Sequence, residues 1–266
     1  MAGQPIAIFG ITGRMGQALV RALRTDATLR LSGAIASVDS ARLGQDAAAE
    51  DGPTGVLVTA DAGLGIRGAA VAVDFSSSRS AADHARCCAQ AGIPILIGTT
   101  GLDAPSRAVL EEAARKIPVL LAPNTSVGVG VVAELAARAA LVLGASYDVE
   151  IFEAHHRLKR DAPSGTALAL GEAIAAARGQ RLDEAAVYER TGQSAARGPS
   201  AIGFSSVRAG DIVGEHTVIF AGDGERVEIT HRATDRAIFA RGALRAAGWL
   251  VGRPAGLYGM KDALGF

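Results

Sequence analysis

The first sixteen residues constrain the fold more than any other stretch. A short apolar run, Pro5-Ile-Ala-Ile-Phe9, passes directly into Gly10-Ile-Thr-Gly13-Arg-Met-Gly16, and an amphipathic pattern continues to Leu23. A run of that length and texture suits a strand buried on both faces. Strand, glycine turn and helix, in that order, is the arrangement that phosphate binding needs. The first glycine permits the tight turn, the second lets backbone approach a pyrophosphate, and the third lets the helix close on the strand. A second apolar run at 29–36 completes a βαβ unit of a length suited to a right-handed crossover.

Further strand patterns lie at 56–59, 70–75, 93–97 and 119–122, with helical patterns at 78–91 and 104–116. They predict a doubly wound parallel sheet of Rossmann type. The loops Gly98-Thr-Thr-Gly101 and Pro123-Asn-Thr-Ser126 then leave the same sheet edge as the glycine turn, the edge where such sheets bind ligands. The texture changes after Leu143: alternating or β-branched segments at 148–153, 201–207, 215–220 and 226–230 surround one strong helix at 164–177. That predicts a second, α+β domain with a mixed sheet. A last helix at 236–250 is free to return to the first domain.

With 266 residues, 49% hydrophobic, the chain can bury a substantial core. Lys+Arg and Asp+Glu balance at 27 each, which argues against nucleic-acid or anionic-membrane partners. The start of the chain has no basic or long apolar leader, and no apolar run approaches membrane-spanning length, so a cytoplasmic location is expected. The two cysteines, Cys87 and Cys88, are adjacent, and the favoured reading makes them small apolar side chains. No metal site is expected: His155 and His156 are neighbours without ligand spacing or cysteine partners.

Against this neutral background stands Glu153-Ala-His-His-Arg-Leu-Lys-Arg-Asp-Ala-Pro-Ser-Gly-Thr166. Between His155 and Arg160 only Leu158 is not basic, and Lys159 is one of only three lysines in the chain. A helix starting near Ser164 would aim its free N–H groups at the same anion as these cations. Asp161 is placed to orient a cation or cap the helix, and Pro163 suits its first turn. Arg157 and Arg160 are expected to be solvated or interface charges, not catalysts, while His84, His216 and His231 lack a comparable cluster. At the end of the second strand, near Ala36 and Ser37, the acid that usually binds ribose hydroxyls is missing. Its absence, with Arg14 or Arg42 nearby, favours NADPH over NADH.

These segments, together with Ser126-Val-Gly-Val129 and Arg208-Ala-Gly-Asp-Ile-Val-Gly-Glu-His216, closely resemble the bacterial 4-hydroxy-tetrahydrodipicolinate (dihydrodipicolinate) reductase family, along nearly the whole chain. The resemblance implies NAD(P)H-dependent reduction of a cyclic imine dicarboxylate to tetrahydrodipicolinate, in diaminopimelate and lysine biosynthesis, by a homotetramer. It implies a dinucleotide-binding domain at 1–126 and 236–266, and a substrate-binding and oligomerisation domain at 127–235. Matched residue by residue, Gly10, Ile11, Thr12, Gly13, Arg14 and Met15 would hold the pyrophosphate, Gly98, Thr99 and Thr100 would sit near the nicotinamide ribose, and Ala122, Pro123, Asn124 and Thr125 would line the nicotinamide.

A hydride added to such an imine leaves a carbon that must be protonated. His155, among cations and beside a carboxylate, is the candidate acid, and the family assigns that role to this position. Lys159 would neutralise a substrate carboxylate or donate a proton, and His156, Ser164, Gly165 and Thr166 would add donors. Two other readings compete: a different nicotinamide oxidoreductase, such as a semialdehyde or amino-acid dehydrogenase, and a regulatory protein that senses NAD(P) without turnover.

Overall fold

The computed structural model describes residues 3–50, 52–192 and 196–266. Met1 and Ala2, on which the reading of the chain start partly rests, lie outside the described residues. The chain runs β1 (Gln4–Phe9), α1 (Arg14–Leu23), β2 (Leu29–Ile35), β3 (Val58–Thr59), α2 (Ala62–Ile66), β4 (Val71–Asp74), α3 (Ala81–Ala91), β5 (Ile95–Ile97), α4 (Ala104–Ala114), β6 (Pro118–Leu121) and α5 (Val127–Leu143). It continues through β7 (Asp148–His155), α6 (Gly165–Ala177), α7 (Leu182–Ala185), β8 (Ala186–Val187), β9 (Ile202–Arg208), β10 (Gly214–Gly222), β11 (Glu225–Ala233), α8 (Ala237–Leu250), β12 (Gly256–Tyr258) and α9 (Met260–Leu264). Two compact units result, Met1–Val127 with Ala237–Phe266, and Gly128–Arg236.

In the first unit seven of the described strands pair in parallel in the order β12-β6-β5-β4-β1-β2-β3. This is the Rossmann-type doubly wound sheet that the apolar runs predict. The period of two divides its strands between two cores. Ile6, Ile8, Val71, Val73, Leu96 and Leu120 pack with Leu19 of α1 and Leu244 of α8. Ala7, Phe9, Ala72, Ile95, Ile97 and Val119 pack on the other side with Ala85 of α3 and Leu110 of α4. The crossover direction reverses between β1 and β4, so the loops after these two strands diverge at the switch point where open parallel sheets bind ligands. The strand expected from residue 93 begins at Ile95, because Pro94 has no N–H and contributes only its carbonyl, to Ala72 N–H at 2.8 Å.

The second unit is the mixed sheet β11-β10-β7-β9-β8, with β10 antiparallel to β7 and β11, and β9 parallel to β7 and β8. Val149, Ile151, Phe204, Val218 and Phe220 form its core with Leu170 and Ile174 of α6 and with Val132, Ala136 and Ala140 of α5, spaced four apart on one helical stripe. The expectation that no apolar run reaches membrane-spanning length is corrected here. From Val127 to Ser146 the helical stretch has 20 residues and a mean hydropathy of 1.8, sufficient by length and composition. Its polar interruption is the Arg138–Glu134 ion pair, 2.8 Å long and one turn apart.

Candidate active site

In the first unit the glycine turn is shaped by backbone contact. Gly10 adopts φ +76°, and a Cβ there would stand 2.6 Å from the Phe75 carbonyl oxygen. A Cβ on Gly16 would lie 2.4 Å from the carbonyl oxygens of Gly10 and Ile11, so α1 closes on the turn only because residue 16 has none. Gly13 is the N-cap of α1 and offers no side chain to the first-turn N–H groups. Thr12 and Met15 are half-buried, Arg14 is exposed, and Ile11 is fully buried in the core, so its side chain is unavailable to a ligand at the turn. Gly10, Thr12 and Gly13 line a cleft of about 310 Å³ with Ala36, Ser37, Phe75, Ser76 and His84. Arg42 is already occupied, donating to the carbonyls of Asp46 at 2.6 Å and Ala48 at 2.8 Å.

Beneath this cleft lies a polar cluster absent from the sequence expectations. Asp74, at the end of β4, is fully buried. Its Oδ1 accepts from the Ser76 N–H at 2.8 Å, the Ser76 hydroxyl at 2.7 Å and the Thr99 hydroxyl at 2.9 Å, while Oδ2 meets His84 Nδ1 at 2.6 Å. The His84 ring stacks on Phe9 with centroids 4.1 Å apart. His84 therefore has a cluster, contrary to expectation, and the only hint in the sequence is an acid closing an otherwise apolar strand. Gly98 packs on the Phe75 ring, which a Cβ would enter at 2.1 Å, and Thr100 beside it is exposed. Ala122 is buried, Pro123 exposed, and Asn124 half-buried with its Oδ1 accepting from Ser126 N–H. Thr125 spends its hydroxyl on the Phe239 carbonyl of α8 at 2.7 Å.

The second unit gathers most of the basic window at one end of its sheet. Alternation along β7 puts Glu153 and His155 on the same buried face as Val149 and Ile151. Pairing then places Ser206 and His216 opposite Glu153, and Arg208 opposite His155. Glu153 accepts two bonds from Arg208 at 2.7 and 2.8 Å, one from His155 Nδ1 at 2.5 Å and one from the Ser164 N–H at 3.2 Å. Burial alone would raise its carboxyl, but Arg208, Ser206 and His155 together bring it below the usual range, so it is an anion. Burial lowers the pKa of His155; Glu153 opposes that, while Lys159 and Arg208 reinforce it.

His216 joins this cluster, another departure from expectation. Its Nε2 lies 3.0 Å from the Ser164 hydroxyl and its ring meets His155 edge-on at 5.2 Å. Burial pushes its pKa down to about 4. Ser164 is the N-cap of α6, accepting from Ala167 N–H at 3.1 Å. Pro163, expected in the first turn, stands outside the helix, which begins at Gly165. A Cβ on Gly165 would meet nothing within 4 Å, and Thr166 follows half-buried. Lys159 pairs with Asp161 at 2.8 Å, so Asp161 orients a cation instead of capping the helix. His156 is half-buried, and Arg157 and Arg160 are exposed.

Both halves of the chain match models of one family, described as dihydrodipicolinate reductase, N-terminus over residues 4–125 and C-terminus over residues 128–264. A 4-hydroxy-tetrahydrodipicolinate reductase from Thiobacillus denitrificans is 52% identical over 261 residues, covering 98% of each chain. One from Anaeromyxobacter dehalogenans is 51% identical over 262 residues, covering 98% of this chain and 97% of the relative. Among solved structures, a dipicolinate-bound dihydrodipicolinate reductase from Paenisporosarcina sp. TG-14 has the same fold, with a TM-score of 0.78 at 24% identity over 98% of this chain and 99% of that one.

Proposed function

The chain belongs to the dihydrodipicolinate reductase family, and from that premise we propose how its residues divide the work of reducing a cyclic imine dicarboxylate. It is an oxidoreductase of diaminopimelate and lysine biosynthesis that uses NAD(P)H to reduce the cyclic intermediate derived from 4-hydroxy-tetrahydrodipicolinate. The observation that carries the residue assignment is His155, its Nδ1 held by an anionic Glu153, with Lys159 and the start of α6 in the same window.

The first unit suits a dinucleotide. Gly10, Ile11, Thr12, Gly13, Arg14 and Met15 supply a turn with no obstructing side chain at its glycines and a helix start whose N–H groups favour pyrophosphate. Gly98, Thr99, Thr100, Ala122, Pro123, Asn124 and Thr125 are assigned to the nicotinamide end. When bound, the nicotinamide supplies the hydride. In the second unit Lys159, His156 and the Ser164-Gly165-Thr166 helix start hold the substrate carboxylates, since charge-assisted donors and a helix N-terminus recognise the same anion. His155 gives its proton to the ring carbon left electron-rich by reduction.

NADPH is the assigned preference. Ser37 lines the cleft where a ribose-binding acid would otherwise repel a 2′-phosphate, and with Arg42 occupied, Arg14 is the cation left for it. The enzyme is assigned to the cytoplasm as a homotetramer. The second sheet covers one face with α5 and α6 and leaves Phe152, Thr217 and Ile219 half-exposed on the other, a face suited to another subunit.

Loss of NADPH absorbance with substrate generated by the preceding synthase tests the reading. Turnover is expected, with higher kcat/KM for NADPH than NADH, and His155→Gln should lower kcat by about 10²- to 10⁴-fold with cofactor affinity retained. Absence of turnover would instead favour an NAD(P) sensor or another dehydrogenase. Light scattering should give a mass about four times the 27.0 kDa of one chain.

A further inference from the structure

Glu153 occupies a place on the sheet's buried face that an apolar residue would fill at far lower desolvation cost. It nevertheless collects donors from β9 (Arg208 and Ser206), from β7 (His155) and from the cap of α6 (Ser164). An anionic Glu153 has no proton to give, so the hydrogen in its 2.5 Å contact with His155 resides on Nδ1. Proton exchange with a ligand is thereby confined to Nε2. That nitrogen looks toward Gly214, where a Cβ would stand 3.0 Å away.

On the reductase reading above, we propose that Glu153, anchored by Arg208, is a positioning residue that makes Nε2 of His155 the proton-transferring atom and fixes it relative to the start of α6, while Gly214 keeps that nitrogen uncovered. The link to α6 is direct. Ser164 gives its N–H to Glu153 at 3.2 Å while its hydroxyl caps the helix, so the imidazole and the first turn of α6 take their positions from one carboxylate. Glu153 also sets the proton supply. The groups facing His155 are Glu153 on β7, Arg208 on β9, His216 on β10 and Lys159 in the following loop. Of these only Glu153 is anionic, so it is the group that sustains an imidazolium in a buried site otherwise ringed by cations and a neutral histidine.

The test compares Glu153→Gln, Glu153→Asp and His155→Gln in kcat, KM, cofactor affinity and the pH dependence of kcat. His155 acts as an acid, so kcat falls as pH rises through its pKa. With Gln at 153 the imidazolium is harder to form, and that fall moves to lower pH while kcat drops on the order of 100-fold. Glu153→Asp restores the position of the fall. Loss of kcat in Glu153→Gln with the fall unmoved would reduce Glu153 to a structural group and overturn the proposal. Full kcat in His155→Gln would remove the proton-donor assignment itself, a separate failure. If Glu153→Gln does not fold, nitrogen NMR of histidine-labelled native enzyme decides: a neutral His155 protonated on Nδ1 supports the proposal, and one protonated on Nε2 overturns it. Gly214→Ala supplies the steric arm, with kcat expected to fall and cofactor affinity to stay constant; unchanged kcat would refute the role given to Gly214.

Discussion

The Ser164 hydroxyl lies 3.0 Å from Nε2 of His216, and the same oxygen accepts the Ala167 N–H that it caps, so one side chain ties the start of α6 to β10. Burial keeps His216 neutral, and it is built into the sheet opposite Glu153, where it holds the start of α6 in place. Protonating it would place a buried cation beside His155, Lys159 and His231.

A definite pH dependence of stability follows. The folded state keeps His216 deprotonated down to about pH 4, whereas the unfolded chain takes up the proton near the ordinary histidine value. Between those values the unfolded state binds more protons, so stability is fully present above about pH 6.5 and declines as pH falls. The loss attributable to His216 is on the order of 3 kcal/mol at the acid end. Urea unfolding midpoints at pH 7 and pH 5 should therefore differ less in His216→Asn than in the native enzyme. His155 and His231, lowered in the same direction by burial, leave a residual slope.

Asp74 organises the cleft at the glycine turn, the proposed cofactor side, in a different way. Its buried carboxylate ties Ser76 and Thr99, in the loops that follow β4 and β5, to His84 of α3. Asp74→Asn keeps the volume but loses acceptor capacity for one of four donors. Fluorescence titration should give a cofactor Kd about ten times higher, corresponding to one hydrogen bond to a charged group. Substrate KM at saturating cofactor should change less.

What could be read from the sequence divides along physical lines. β1, β2, β4, β5 and β6 announce themselves as apolar runs, and the glycine turn needs only its own spacing. The basic window is contiguous, so its charge is visible without any tertiary information. The partners that define its chemistry are not: Arg208 and His216 reach Glu153 through strand register across separations of 55 and 63 residues, which no local pattern encodes. Glu153 itself had a signal, since it continues the inward alternation Val149, Ile151, Glu153, His155. α5 leaves no local signature because residues 127–143 are apolar on nearly every side, so its buried stripe is not set off by a polar face.

Lys159 separates charge from chemistry. Its ammonium is held by Asp161 at 2.8 Å, which fixes its direction but offsets part of its charge. Lys159→Ala should chiefly raise substrate KM and lower kcat/KM by roughly 100-fold, the scale of a lost charge-assisted contact. Normal kcat and KM together would identify Lys159 as a surface cation.

Gly165 gives the sharpest distinction between folding and binding. As the first residue of α6 it has φ outside the left-handed region, and a Cβ there would meet nothing within 4 Å. Gly165→Ala is therefore sterically free in the protein alone and slightly favours the helix. A dicarboxylate approaching the first-turn N–H groups would, however, meet the new methyl. The variant should keep its Tm, or gain slightly, while substrate KM rises at least about tenfold, the effect of roughly 1.4 kcal/mol of lost binding. Steady-state kinetics alongside thermal denaturation checks both halves. Unchanged KM would move the substrate carboxylate away from the start of α6, leaving Lys159 and His156 as its remaining assigned ligands.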